Sequence, residues 1–184
     1  EKYFDVDKDV AKYALEYYNK HQRLPFPSES LIEEWHNNLL QSASDLKILY
    51  GFGITDEVIA ELKIGLADSR IIFPLKSKTG YYVNARRYLP PTKRAGYAKV
   101  PKCLNMQGLG QRRYYPYTAF EDTRPLILVE GEKDMAAARS CGYNAVTGTG
   151  GSAIPTEELS LFTGKDVVIM LDSDKVGQKN TNLY

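Results

Sequence analysis

Val129-Glu130-Gly131-Glu132-Lys133-Asp134 follows the apolar run Leu126-Ile127-Leu128, and Asp172-Ser173-Asp174-Lys175-Val176-Gly177 follows Val167-Val168-Ile169-Met170-Leu171. Each acidic cluster stands where a short buried strand should end. In an open parallel sheet, residues just past the carboxyl ends of strands converge on one crevice. Carboxylates gathered there repel one another unless a cation lies between them. Hard oxygen donors of this kind select Mg²⁺ or Mn²⁺, which suits phosphoryl chemistry on a nucleotide. Capping and solubility form the competing reading. It serves for Glu132 and for Glu157-Glu158, at helix starts where acids favour the dipole. It serves poorly for Asp172 and Asp174, which follow five apolar residues.

Working outward, the chain from Pro125 onward alternates β and α. A buried strand runs to Val129 and a helix built on Met135 to Ala138 runs to Cys141, with Gly142 as its stop. A strand at Asn144 to Thr147, a glycine turn Gly148-Thr149-Gly150-Gly151, a helix near Thr156 to Phe162 and a buried strand over Asp166 to Leu171 follow. This order predicts a parallel sheet with right-handed crossovers. The glycine turn could cradle a phosphate through backbone N–H groups; a simple turn is the favoured reading.

The first half has a different texture. A helix is expected over Asp5 to His21, with Val10, Tyr13, Ala14 and Tyr17 on one face. Ser30 is expected to open a second helix with Glu33 completing a capping box, and Leu31, Trp35 and Leu39 as its apolar stripe. A third helix spans Ala43 to Tyr50, and a fourth, capped by Thr55, ends at Gly65. Arg70 to Leu75 reads as a strand, Lys78-Thr79-Gly80 as a turn and Tyr81 to Leu89 as the return strand. Residues from Pro90 to Pro125 read as loop-rich.

Composition narrows the partners. The 184 residues are 43% hydrophobic and 26% charged, an ordinary globular profile. No apolar run approaches the length of a membrane span, and the charged start Glu1-Lys2-Tyr3-Phe4-Asp5 is not a signal peptide. The lack of an initiator Met leads to the expectation that the chain is cut from something longer. Cys103 and Cys141 lack metal-site spacing and fit free thiols in a reducing cytoplasm. The net charge of +1 hides a strong asymmetry. From Ser69 to Phe120 there is no Asp or Glu, while Arg70, Arg86, Arg87, Lys102, Arg112 and Arg113 stand there among other cations. Tyrosines and phenylalanines are interleaved with them. Such a block is an electrostatic footprint for a polyanion, and its aromatics can stack exposed bases.

These motifs together carry a family resemblance. VEGEKD at Val129 to Asp134, TGTGG at Thr147 to Gly151 and DSDKVG at Asp172 to Gly177 resemble the TOPRIM module shared by bacterial-type DNA primases, topoisomerases and some nucleases. Upstream, Gly51 to Gly65, IIFPL at Ile71 to Leu75, Thr79 to Val83, Arg86-Arg87 and PKCLN at Pro101 to Asn105 resemble the catalytic core of bacterial and phage primases. The resemblance covers roughly Gly51 to Asn180. It departs from the family at Val83-Asn84-Ala85, where a Gly-rich turn is common before the arginine, and at Cys103, which replaces an aromatic. No GxxxxGK[ST] occurs, so no P-loop motor is present in this sequence.

The resemblance implies an α/β fold in three parts: a helical N-terminal segment at 1–45, a mixed α+β basic subdomain at 46–124 and a TOPRIM-type, Rossmann-like parallel-sheet module at 125–184. The module is expected to be truncated, since the chain stops soon after Gly177. The implied activity is Mg²⁺- or Mn²⁺-dependent primer synthesis on single-stranded DNA from nucleoside triphosphates, beside a replicative helicase, in the cytoplasm of a bacterium or encoded by a phage or mobile element. A TOPRIM nuclease, a topoisomerase fragment and a non-catalytic nucleic-acid-binding module are the alternatives. Glu130, Asp172 and Asp174 are the candidate metal ligands, and Glu130 could instead move protons. Asp134 could be an outer ligand or could orient Lys133. Arg86, Arg87, Lys102, Arg112, Arg113 and Lys133 are candidates for phosphate contacts, and Asn105 for anchoring its loop.

Overall fold

The computed structural model describes residues 8–21, 24–94, 100–149, 155–173 and 181. They form two compact units, Glu1–Tyr50 with Ile59–Gln111 and Gly51–Val58 with Arg112–Tyr184. Asp174, Gly177, Gly150 and Gly151 lie outside the described residues.

The first unit contains helices α1 (Lys8–His21), α2 (Glu29–Leu40) and α3 (Ala43–Gly51). Its strands β1 (Gly65–Ala67), β2 (Arg70–Lys76), β3 (Tyr82–Tyr88) and β4 (Cys103–Leu104) form an antiparallel sheet in that order. All of β2 is buried except Lys76, so this strand carries a continuous apolar run. Pro74 is tolerated inside it because β1 pairs only as far as Ile72, and a missing N–H beyond that point breaks no bond to β1. Val10 and Ala14 of α1 pack with Phe26, Val83 and Leu109. This cluster ties α1 to β3 and to the loop after β4.

Helix α2 and the fourth helix differ from the sequence expectation. Ser28, not Ser30, caps α2, accepting the Leu31 N–H at 3.2 Å. The buried stripe is Ile32, His36 and Leu39, one position away from Leu31 and Trp35. His36 is drawn inside by a specific bond: its Nδ1–H donates to the Ile64 carbonyl at 2.7 Å. Gly65, read as a helix stop, instead starts β1. Helix α4 (Asp56–Glu61) ends earlier, and Lys63 takes a left-handed φ of 51°. A Cβ on Gly65 would stand 2.8 Å from the Trp35 backbone, so α2 passes where only glycine fits.

The second unit holds a sheet in the order β5 (Tyr114–Tyr115), β7 (Asn144–Gly148), β6 (Leu126–Val129), β8 (Val167–Met170). Strands β6, β7 and β8 are parallel and β5 is antiparallel. Helix α5 (Glu132–Ser140) connects β6 to β7 and ends before Gly142, which takes a φ of 84°. The other crossover carries the helix expected near Thr156 to Phe162, as a 3-10 helix at Thr156–Phe162. One sheet face buries Leu126, Leu128 and Val146 under Tyr114, Phe120 and Phe162. The three rings meet edge to face with centroids 4.9–5.8 Å apart, the geometry aromatic quadrupoles favour. The expected burial of β8 is only half met. Val168 and Met170 are 49% and 58% exposed, because β8 is an edge strand whose second face is uncovered among the described residues.

Candidate active site and basic surface

Parallel registry aligns Val129 with Thr147 and with Met170. The residues that follow β6 and β8, Glu130 and Leu171-Asp172, therefore leave the sheet at the same edge, beside the end of β7. There the Glu130 carboxylate accepts the backbone N–H of Asp172 at 2.9 Å. Asp134, on the first turn of α5, opens onto the same cleft. The cleft has a volume of about 510 Å³. Val129, Ala138 and Met170 supply apolar walls, and Glu130, Asp134 and Asp172 supply carboxylates. Asp172 is exposed and Glu130 partly so.

Lys133 pairs with Asp134, and its ammonium lies 5.8 Å from the centre of the Phe52 ring. Glu132 is buried at the start of α5. The donor set at the cleft is all carboxylate oxygen, which fits a hard divalent ion. Among the described residues, no three acids, histidines or cysteines form a group able to hold a metal; Asp174 is outside them.

The basic residues divide into two kinds. Some are used inside the first unit. Arg70 is buried, and its guanidinium donates to the carbonyls of Arg87 at 3.0 Å and Pro101 at 3.2 Å. Burial, then the neighbouring Arg87 charge, lowers its pKa, yet a guanidinium stays charged. Lys93 pairs with the buried carboxylate of Asp45. Arg87 pairs with Asp68 at 2.8 Å. Lys102 is exposed, with its ammonium 5.9 Å from the Tyr88 ring centre.

Arg86 donates to Asn105 Oδ1 at 3.2 Å. Asn105 is thus a side-chain acceptor for strand β3. Its second donor is Asn84 Nδ2 at 3.0 Å. Asn84 was not singled out from the sequence, nor was Arg70 as a clamp. Together they hold both ends of the Pro101–Leu109 segment: Arg70 takes the carbonyl of Pro101, and Asn84 takes the carbonyl of Leu109 and the N–H of Met106. The available signal was the polar residue in Val83-Asn84-Ala85, a strand stretch buried on both faces.

Arg112 and Arg113 belong to the second unit. Arg112 is exposed. Arg113, a candidate phosphate contact, is 2% exposed. Its N–H donates to Thr149 Oγ1 at 3.1 Å, and its carbonyl accepts the Thr149 N–H at 2.9 Å. β5 runs beside β7, and this pairing draws Arg113 inward.

Residues 124–183 match the family model of the Toprim domain. No curated protein sequence matches the chain. Among solved structures, the chain resembles the Aquifex aeolicus primase, zinc-binding and RNA polymerase domains, at 18% identity and a TM-score of 0.65, covering 94% of this chain and 56% of that one. It resembles the E. coli primase catalytic core at 21% identity and a TM-score of 0.66, over 84% and 64% of the two chains. It also resembles a DnaG primase catalytic domain bound to single-stranded DNA, at 21% identity and a TM-score of 0.65, over 84% and 62%. The chain thus spans less than two thirds of each. The expected fold, helices and a basic sheet followed by a TOPRIM-type sheet, is borne out. Among the described residues, no helix is long and apolar enough to cross a membrane.

Proposed function

We propose, for a chain with a Toprim domain on the fold of bacterial DNA primase catalytic cores, that the protein joins nucleotides into short RNA primers on single-stranded DNA. The observation that carries this reading is the bond from the Asp172 backbone N–H to the Glu130 carboxylate at 2.9 Å, with the side chains of both residues and Asp134 lining one cleft. Carboxylates from two strand ends and a helix start gather where this fold collects its chemistry.

In such a reaction a 3′-hydroxyl attacks the α-phosphate of a nucleoside triphosphate and pyrophosphate leaves. Catalysis is mostly positioning and charge neutralisation. Glu130, Asp172 and Asp174 would hold Mg²⁺ or Mn²⁺, which when bound neutralises phosphate charge. Glu130 also fixes the start of the Asp172 loop through its N–H. Asp134 restrains Lys133, leaving one ammonium at the acidic edge. In the first unit, Lys102 and Asn105 would take phosphate oxygens, with the buried Arg86 holding the Asn105 oxygen and Arg70 fixing the segment that bears Lys102. Arg112 is a further exposed candidate in the second unit. A single-stranded DNA template, nucleoside triphosphates and a replicative helicase are the implied partners.

The test is primer synthesis by the full-length protein on a single-stranded template with Mg²⁺ and nucleoside triphosphates. A dinucleotide product that vanishes with Asp172→Ala is expected. Template cleavage without extension would favour a nuclease. Tight DNA binding with neither reaction would favour a binding module.

A further inference from the structure

The basic surface of the first unit has one buried amide whose orientation is fixed without reference to any ligand. Asn84 is 2% exposed in the middle of β3. Its Oδ1 accepts two backbone N–H groups, from Ala85 at 2.7 Å and Met106 at 3.1 Å. Backbone N–H groups only donate, so the oxygen must face them. The Asn84 nitrogen then points the other way, to the Leu109 carbonyl and to Asn105 at 3.0 Å. Because that nitrogen donates, the atom of Asn105 facing it must be the oxygen. Arg86, also only a donor, reaches the same oxygen at 3.2 Å. The Asn105 amide is thereby locked with its NH₂ turned away from both.

That NH₂ lies on the side of Gly110, an exposed glycine. A Cβ at Gly110 would stand 3.8 Å from the nitrogen, so glycine leaves the place of a side chain beside that NH₂ unfilled. Lys102 is the exposed cation of the same segment. Asn105 is half-buried, and its NH₂ and the Lys102 ammonium, borne by one short segment, are donors of the kind a phosphate oxygen takes.

We propose that Asn84 is a positioning residue: it sets the amide of Asn105 so that the Asn105 NH₂ donates to an anionic phosphate oxygen, of the nucleic-acid strand or of a nucleoside triphosphate. The inference rests on the polymerase reading for its purpose, but its binding test does not need turnover. Asn84→Asp keeps the oxygen that takes the Ala85 and Met106 N–H groups. It replaces the donor facing Asn105 by an acceptor, which turns the Asn105 amide round and withdraws its NH₂.

The experiment uses the full-length protein with two probes, a fluorescent single-stranded oligonucleotide without nucleotide and a nucleoside triphosphate without template. Asn105→Ala and Asn84→Asp should each weaken binding of one probe by about 10-fold, the order expected for a hydrogen bond to a charged group. The probe affected identifies the phosphate source. The double variant should be no weaker than either single one. Losses that multiply toward about 100-fold would mean independent roles and overturn the proposal. So would wild-type affinity for both probes in a folded Asn84→Asp protein, or a wild-type protein that binds neither probe. If Asn84→Asp does not fold, the wild-type side-chain amide resonances decide. On adding the bound probe, the Asn105 NH₂ signals should shift and those of Asn84 should not; unmoved Asn105 signals would overturn the assignment. Absence of primer synthesis with these binding effects intact would count against the polymerase reading alone.

Discussion

Glu130 and Asp172 lie 42 positions apart in sequence, yet the carboxylate of one holds the backbone N–H of the other at 2.9 Å. The contact joins the ends of two adjacent parallel strands, β6 and β8. Glu130 therefore has two separable properties: a hydrogen-bond acceptor that fixes a loop, and a charge available to a cation.

Glu130→Gln separates them. The amide oxygen can still accept the Asp172 N–H, so the melting temperature should move by no more than about 2 °C, as for a substitution that keeps its bond. Metal-dependent turnover should fall by roughly 10²–10³-fold, the order seen when one electrostatic group at a reacting centre is removed. Full turnover by Glu130→Gln would mean that the charge has no part in the chemistry.

Asp172→Ala removes a carboxylate from an exposed loop and leaves the backbone N–H in place. Fold and oligonucleotide binding should stay within about 2-fold of wild type, since exposed substitutions away from packed features change stability little. The comparison of anisotropy titrations with primer yield at saturating template checks it. Equal losses in both would show that Asp172 supports structure or DNA contact instead.

Binding of single-stranded DNA should weaken steeply with salt, with a log–log slope of about −0.7 for each phosphate neutralised. Lys102→Ala should make that slope shallower by about one phosphate's worth. A slope unchanged by Lys102→Ala would remove this lysine from the contact.

Gly65→Ala tests the close passage of α2. The new methyl would meet the Trp35 backbone at 2.8 Å, and backbone cannot swing aside as a side chain can. A destabilisation of about 1–3 kcal/mol by chemical denaturation is expected, as for other overpacked sites. A neutral result would show that α2 can shift outward freely.

Asp122 supplies a pH prediction. The Arg124 side chain first, and then its backbone N–H, hold the Asp122 carboxyl down to about 2 from an ordinary 3.8. The depressed value means that the contribution is complete above the unfolded pKa and is lost as pH falls from about 4 toward about 2. Asp122→Asn should flatten the acid limb of the melting-temperature profile in that window and leave the neutral region nearly unchanged, because the pair is at the surface. An unaltered acid limb would show that the unfolded chain keeps the same pairing.

Much of the fold was legible because period and punctuation are local. Three apolar residues before Val129 and five before Asp172, with a helix stopped at Gly142 between, could only alternate strand and helix in this order. The alternation also forecast which chain ends carry the acids. Arg113 shows where this reasoning stops. A cation in a basic stretch looks like surface, and only the pairing of β5 beside β7 draws it inward. His36 shows the converse. The apolar spacing of α2 pointed to Trp35, but a carbonyl at Ile64 offered the imidazole a partner and took it into the core.

The sequence by itself determined the order of elements, the separation of a basic stretch from the more acidic segments on either side of it, and the carboxylates at the strand ends. Those properties are encoded in neighbouring residues, where steric preference and hydrophobic period act over a few bonds. Only the tertiary structure decided that Glu130 meets Asp172, that Arg70 and Lys93 are used as internal clamps, and that Asn84 fixes the amide of Asn105. Each of these is a pairing between distant positions, and a hydrogen bond is directional and short. Which donor finds which acceptor is settled when the strands take their register.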